Sequence, residues 1–532
     1  MTGTMSRYSG TPAIMAEGWT CSRLTPASRL HGANGIRAAA DGRIWVAQVP
    51  GSLISAVDPD SGAIEVISPI GGDIVAPDDL VFDEAGNLYC TEITEGRVSM
   101  RTPSGQVSII QGDMPVANPI TWHQGRLIAG ECRMGARIME LDRNGGALRI
   151  IKADIPMANA FEVGPDGRLY VPIMGANEIW AIDLATGEHQ VIAGDLGVPD
   201  SVKFDSKGRI VTTQVMSGQV LRIDPVSGSR EVLADLGPGL DNVTFLGDRI
   251  FVSSIPGEIS EIIAPGQTRS VIPRALQWPL GLAVGDDGCL MVADGGFSYT
   301  LTHAGSLDLA FMLFTHNGPG YVRGVCRGSK PGEWIFTTGM GGVARFSPAD
   351  GAIEWITSGH DQLMGVATCG DAVIYAEYGT GRVLSAENGT TTELAAGLDR
   401  PMGIAVDGSG AVYVAEAGAG RVLKLSCGGC ETVLDGLERP EGLCISGGRL
   451  HVVDTIAKSL IRCDLAGDNR TVIASRLPVG PPPGCVALPF LGPIGDMSGP
   501  MINFAGIAAG ADGTLYLSAD AEGSVMAINA DI

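Results

Sequence analysis

Positive charge is scarce in this sequence: 36 Lys and Arg stand against 59 Asp and Glu in 532 residues, a formal net charge of −23. No basic face is left to neutralise phosphates, so no nucleic-acid partner is expected. No apolar run is long enough to span a bilayer, and no membrane partner is expected either. Met1 to Trp19 lacks a basic stretch leading into an apolar one, which speaks against a secretory leader there. Cysteine is sparse and odd in number, eleven in all. Thiols scattered in this way fit the reducing cytoplasm better than a disulfide framework. The one close pair, Cys427-Gly-Gly-Cys430, reads as a hairpin tip flanked by two thiols. Neither a second CxxC nor a βαβ context for redox chemistry accompanies it. A helical hydrophobic period is also missing.

What the chain does have is 76 Gly and 31 Pro in a sequence that is 45% hydrophobic and only 18% charged. That composition suggests many short strands joined by tight turns. One module recurs: a small or polar residue, a short apolar strand, an Asp-Gly type of turn, a second strand and a further hairpin. Pro401-Met-Gly-Ile-Ala-Val-Asp-Gly-Ser-Gly-Ala-Val-Tyr-Val-Ala-Glu416 is a clean copy. The residues opening the innermost strands are Asn34, Asp78, Asn118, Asn159, Asp200 and Asp241, then Leu280, Arg323, Met364, Met402, Glu441 and Ala505. Their spacing is 38 to 44 residues throughout, apart from a last gap of 64. Four strands per forty residues is the signature of a propeller blade. The predicted fold is therefore all-β, two tandem six-bladed β-propellers made of twelve four-stranded blades.

The expected division is 1–267 for the first propeller and 268–532 for the second. The twelfth repeat ends after three strands, so its fourth must come from elsewhere. The expectation is that Trp19 to Leu24 completes blade six and Thr268 to Ile272 completes blade twelve. A single twelve-bladed ring, closed by the N-terminal strand on blade twelve, is the rival. The long last gap holds a Pro/Gly-rich insertion, 477–500, which is either a lid or a packed loop.

Hairpin geometry places the six opening residues of each half around one mouth of its channel. In the first half all six carry a side-chain oxygen, and Asp79, Glu92 and Glu131 are expected just outside them. Converging carboxylates and amides repel one another and lose water, which a hard cation resolves. The predicted ligands are Asn34, Asp78, Asn118, Asn159, Asp200 and Asp241. Ca²⁺ is the expected ion, with Mg²⁺, Mn²⁺ and Zn²⁺ as alternatives. Zn²⁺ is disfavoured because only His31 lies near this mouth and no Cys is expected to converge there. Asn and Asp also cap strand starts and suit turns, which accounts for some of the six without any metal. The second half, with the same repeats, uses Leu, Arg, Met, Met, Glu and Ala at these positions. There, Arg323 and Glu441 are expected to face each other across the channel.

Two stretches of the first half resemble the SMP-30/gluconolactonase/paraoxonase superfamily of six-bladed propellers. Asn159-Ala-Phe-Glu-Val-Gly-Pro-Asp-Gly-Arg-Leu-Tyr-Val is similar to an element of that family whose Asn binds a divalent metal. Val198-Pro-Asp-Ser-Val-Lys-Phe-Asp-Ser-Lys-Gly-Arg-Ile resembles the Pro-Asp-Gly element of the next blade, whose Asp is a metal ligand and acid/base. Asn118 stands where the family has a third-blade Asn. The family's first-blade Glu, in Glu-Gly-Pro, is replaced by Asn34-Gly35, with Asp78 and Asp241 available to compensate. The second half is similar to NHL and streptogramin-lyase repeats, as in Tyr375-Ala-Glu-Tyr-Gly-Thr-Gly-Arg-Val. The resemblance implies a metal-dependent hydrolase of lactones or esters with a small-molecule substrate, in which Asp200 or His31 activates water. A scaffolding or ligand-binding propeller without chemistry, and a metal-dependent lyase or isomerase, are the alternatives.

Overall fold

The computed structural model describes residues 6–146, 148–316, 318–426, 429–481 and 503–531. Among these no α-helix occurs; the one helical turn is the 3₁₀ segment Met174–Ala176. No helix among the described residues is long and apolar enough to cross a membrane. Among the described residues twelve antiparallel sheets follow one another, eleven of four strands and one of five. Blades one to six span 36–68, 77–111, 117–156, 162–193, 199–235 and 240–272. Blades seven to twelve span 279–312, 322–357, 363–395, 401–434, 440–475 and 507–530. The protein is thus a pair of tandem β-propellers.

Local chemistry explains the hairpins. In Pro165-Asp-Gly167 the carboxylate of Asp166 accepts the Arg168 amide at 3.1 Å, while Gly167 takes φ +80°, a conformation that strains other residues. Between blades, apolar side chains alternate inward from both faces. Ile128, Ile138 and Ile155 of blade three, for example, meet Phe161, Leu169 and Val171 of blade four.

A bulge shapes the innermost strand. In blade two, Pro77 pairs with Glu92 and Leu80 with Cys90, so Asp78 and Asp79 together oppose the single residue Thr91. The same shift occurs in blades three, five and six and in blades seven to eleven. A bulge of this kind bends the strand and re-aims its side chains. The residue opposite it often latches the next blade. Thr91 Oγ1 donates to the Asn118 carbonyl at 2.7 Å, Thr213 to that of Asp241, and Ser253 Oγ to that of Asn34 at 2.7 Å.

The Ser253 bond joins blade six to blade one and closes the first ring. A shared core seals the same seam, with Phe251, Ile259 and Ile272 against Ile36, Ile44 and Val46. The second ring closes where the Gly506 amide of blade twelve donates to the Leu280 carbonyl of blade seven at 3.2 Å. Each ring therefore closes on six blades, and the single twelve-bladed ring is excluded.

The closing strands differ from the expectation. Trp19–Arg23 completes blade twelve, pairing with Ser524–Ala530 from Trp19 opposite Ala530 to Arg23 opposite Met526. Gln267–Ile272 stays in blade six beside Glu258–Ala264. The physical reason is supply: repeat six already owns four strands, whereas repeat twelve owns three and must recruit a segment outside the repeats. Ile14–Met15 adds a fifth strand to blade eleven. Residues 30–274 accordingly form the first compact unit, and 6–29, 275–481 and 503–531 belong to the second. The insertion predicted at 477–500 lies outside the described residues from 482 onward, and so does Cys427 of the predicted hairpin tip. Cys430 stands opposite Leu425, and all nine described cysteines are free.

Candidate functional site

Of the six predicted ligands, Asn34, Asp78, Asn159, Asp200 and Asp241 stand near one another, and Asn118 is buried with its carbonyl bonded by Thr91. Asn34, Asp78, Asn118, Asn159, Asp200 and Asp241 are all at most 8% exposed. Asn159 Nδ2 donates to Asp200 Oδ2 at 2.9 Å, and Asn34 Nδ2 to Asp241 Oδ2 at 3.2 Å. The carbonyl oxygens of these two amides accept backbone amides, from Ala160 at 2.8 Å and Val49 at 3.2 Å. Asp78 Oδ2 and Asp200 Oδ1 are buried with no hydrogen-bond partner among the described residues. Burial, followed by repulsion from one another and from Asp79, pushes Asp78, Asp200 and Asp241 well above the usual carboxylate range. Unpaired buried carboxylates are costly, so the ring is built for a proton or a cation.

The backbone below the ring is strained in a repeated way. The residue two positions before each opening residue has a positive φ in all six blades: Gly32, Ala76, Val116, Met157, Val198 and Gly239. Val116 at +57° and Val198 at +63° are β-branched, for which this conformation is a true outlier. The strain has a use. It turns five of these carbonyls toward the residue that follows the second strand, accepting the amides of Ile93, Cys132, Met174, Val215 and Ile255. Two of these residues, Met174 and Cys132, interact with the ring. Met174 Sδ accepts Asn159 Nδ2 at 3.2 Å. Burial, then the fields of Asp200, Asp78 and Asp241, hold the Cys132 thiol well above its usual range. Cys132 therefore does converge on this mouth, contrary to the expectation that no Cys would. Aligning the repeats on their second-strand ends would have found it.

Other expected groups have different work. Glu92 is held by Arg97 at 2.6 Å and accepts the Val75 amide at 2.7 Å. Glu131 is taken up by Arg133 and Arg137. Both clamp neighbouring loops and are not part of the ring. Asp79 does face the channel, accepting Asn242 Nδ2 and the amides of Leu80 and Ile120. His31 precedes Asn34 by three residues; its amide donates to Gln48 Oε1 at 2.7 Å and its side chain covers Gly51. Toward the opposite mouth, Glu162 binds Lys203 at 2.8 Å and Arg37 at 3.1 Å, a charged plug that sequence reasoning missed.

The second propeller presents another interior. Glu441 pairs with its neighbour Arg439 at 2.9 Å and also accepts Thr455 and the Ala505 amide. Arg323 lies over the Trp278 ring, 5.5 Å from its centroid. The expected bridge across the channel thus gives way, on the Glu441 side, to a local pair. One residue further along each inner strand stands a glycine: Gly281, Gly324, Gly365, Gly403, Gly442 and Gly506. A Cβ at any of them would come within 2.2 to 2.6 Å of the next blade's backbone. The glycines therefore serve close packing of the blades around a small, partly open pocket that they line.

Among the described residues no group of three or more His, Cys, Asp or Glu is placed to hold a metal ion by itself. Asn34 and Asn159 turn their NH₂ groups, not their oxygens, toward Asp241 and Asp200, so the hard oxygen donors a divalent cation would need are here supplied by the carboxylates alone.

No family model and no curated protein sequence matches this chain. Several solved structures align with about half of the chain. A streptogramin B lyase aligns 94% of its length with 52% of this chain at 17% identity and a TM-score of 0.39. A gluconolactonase from Xanthomonas campestris aligns its whole length with 50% of the chain at 16% identity and a TM-score of 0.39. A calcium-binding protein, regucalcin, from Agrobacterium tumefaciens aligns 96% of its length with 47% of the chain at 19% identity and a TM-score of 0.37.

Proposed function

We propose that this chain is a divalent-cation-dependent hydrolase of lactones or related esters, working at the mouth of the first propeller with Ca²⁺ as its ion. The observation that carries this is the ring of three buried carboxylates, two of them with an unpartnered oxygen. Asp78, Asp200 and Asp241 would hold the ion, helped by Asn118 and by Asn34 and Asn159 once their amides turn their oxygens inward. When bound, the cation supplies Lewis-acid polarisation of the acyl carbonyl. Asp200 Oδ1, which has no partner among the described residues, would take a proton from water as the water oxygen attacks the acyl carbon. The acyl C–O bond then breaks, and the leaving alkoxide recovers that proton from Asp200, giving a hydroxy acid. Burial makes Asp200 a stronger base than an exposed carboxylate. His31 is the second candidate for the proton. The substrate is a small molecule, and the acidic chain speaks against nucleic acid.

A non-catalytic ligand-binding propeller is the second reading. It is favoured by the orientation of Asn34 and Asn159, whose NH₂ groups already meet carboxylates. Calorimetric titration with Ca²⁺, together with turnover on a lactone and ester panel, separates the two. The expected result is Ca²⁺-dependent turnover that falls about 100-fold or more in Asp200→Ala. Ca²⁺ binding without turnover of any panel member would favour the binding propeller. Unchanged Ca²⁺ affinity in Asp200→Ala would remove the site altogether.

A further inference from the structure

The innermost strands of the second propeller turn a ring of backbone amides toward its channel. Two residues after each opening residue stand Leu282, Val325, Val366, Ile404, Leu443 and Ile507. Three residues further on, each inner strand closes its hairpin with a bonded pair. The amides of Gly285, Gly328, Asp407 and Gly510, for example, donate to the carbonyls of Cys289, Glu333, Ala411 and Thr514 at 2.7–3.0 Å. Bonded and unbonded pairs alternate along an antiparallel ladder, and the registers run unbroken back from these hairpins. Cys369 opposite Ala372 and Ser446 opposite Arg449 set the same phase in blades nine and eleven. The six amides therefore point away from their own blades.

The first propeller shows what such amides hold. There the Asp79 carboxylate accepts the corresponding amides of Leu80 at 2.8 Å and Ile120 at 3.2 Å, and Ser201 Oγ accepts that of Val243 at 3.3 Å. Asp79 and Ser201 stand directly after an opening residue. In the second propeller that position is glycine in every blade, so no side chain comes to the amides. A Cβ on Gly281, Gly365, Gly403, Gly442 or Gly506 would come within 2.8 to 3.2 Å of the next blade's amide nitrogen. The glycines thus keep these amides uncovered. The blades remain separate sheets, and at the seam of blades twelve and seven the Gly506 carbonyl is taken by the Ser518 amide at 2.9 Å. The pocket on this level is lined by the six glycines, the six amide-bearing residues and Phe504, a lining without an ionisable side chain. Converging N–H groups carry partial positive charge, and a buried donor left without an acceptor is costly. Arg323, 2% exposed, adjoins Gly324, while Glu441 beside Gly442 is paired with Arg439 at 2.9 Å. Local charge therefore favours an anion although the chain as a whole is acidic. We propose that the second propeller binds a small inorganic monoanion of the halide class in this pocket. Neighbouring amides of the ring hold it as the Asp79 carboxylate is held in the first propeller. The site is independent of the cation ring and of the hydrolase reading.

The test uses the full chain with chloride and bromide as probes. Crystals soaked in sodium bromide should show an anomalous peak inside the glycine ring, within hydrogen-bond reach of amides from neighbouring blades. In solution the protein should broaden the chloride NMR line, and bromide should reverse the broadening. Arg323→Met should weaken chloride binding about tenfold through the lost charge, and Arg323→Lys should retain it. Replacing gluconate by chloride at constant sodium, about tenfold above its Kd, should raise the melting temperature of the second propeller by about 3–6 °C. Water in the pocket of a bromide-soaked crystal, with bromide at surface positions alone, would overturn the proposal. A bromide peak in the pocket without chloride broadening in solution would mean an adventitious ion only, and would overturn it as well.

Discussion

Glu441 and Glu162 are both buried carboxylates, yet their surroundings push them in opposite directions. Burial outweighs Arg439 and raises Glu441 to about 7. Burial also acts on Glu162, but Lys203 and Arg37 overcome it and bring the group down to about 2. For Glu441 the folded value lies above the unfolded one of roughly 4.3. Its stabilisation is then full below about pH 4 and is lost as pH rises through 7, at a cost on the order of 3 kcal/mol by pH 8. Urea unfolding of the second propeller should show that loss between pH 5 and pH 8, and Glu441→Gln should flatten it. Equal slopes in the two proteins would contradict the assignment. For Glu162 the sign reverses: stability is present above about pH 4.3 and is lost as pH falls toward 2. Glu162→Gln should therefore destabilise the first propeller at pH 7, because it removes the carboxylate that Lys203 and Arg37 bind. Of these features, the mouth residues were legible in the sequence because the repeat marks them. The Glu162 plug was not, because its three members lie in blades one, four and five and only ring closure brings them together. The fate of Glu92 and Glu131 was hidden for a similar reason, since their arginines lie on the adjoining strand.

At the scale of the strand and its turn, the latch and the strained loop make separate predictions. Ser253→Ala removes the hydroxyl that bonds the Asn34 carbonyl and leaves that carbonyl buried. The expected cost is about 1–3 kcal/mol in denaturant unfolding, with the first ring opening at its seam. Val198→Gly should act the other way. It relieves the +63° strain and gains up to about 1 kcal/mol, less than the full strain because glycine loses more freedom on folding. The same change should weaken Ca²⁺ binding, because Asp200 two residues on is positioned by that turn. An unchanged Ca²⁺ affinity in Val198→Gly would show that the strain is unrelated to the site. The existence of twelve inner strands was readable from spacing alone. The bulge was not, since one extra residue per strand leaves the repeat length unaltered. The choice of closing strand was also hidden. Both 19–24 and 268–272 are half-exposed segments that join a sheet through backbone bonds, and such segments carry little information about their partner.

For the whole molecule, the connectivity predicts unequal fragments. Residues 30–274 are contiguous, close on themselves through Ser253 and Asn34, and contain the entire carboxylate ring. Expressed alone, they should melt cooperatively and gain thermal stability with Ca²⁺ as the full chain does. Deleting residues 1–29 should leave that unit intact while exposing Ser524–Ala530 as a bare edge. Limited proteolysis should then attack the second propeller first. The order of synthesis follows from the same connectivity. Trp19–Arg23 leaves the ribosome first, and its partner strand ends at Ala530, more than 500 residues later. At about 5–20 residues per second the early strand waits roughly half a minute to two minutes for its place. During that interval its Trp19 and Cys21 have nothing of their own blade to cover them. The first propeller can be finished and loaded with its ion while the second is still missing the residues that will close it.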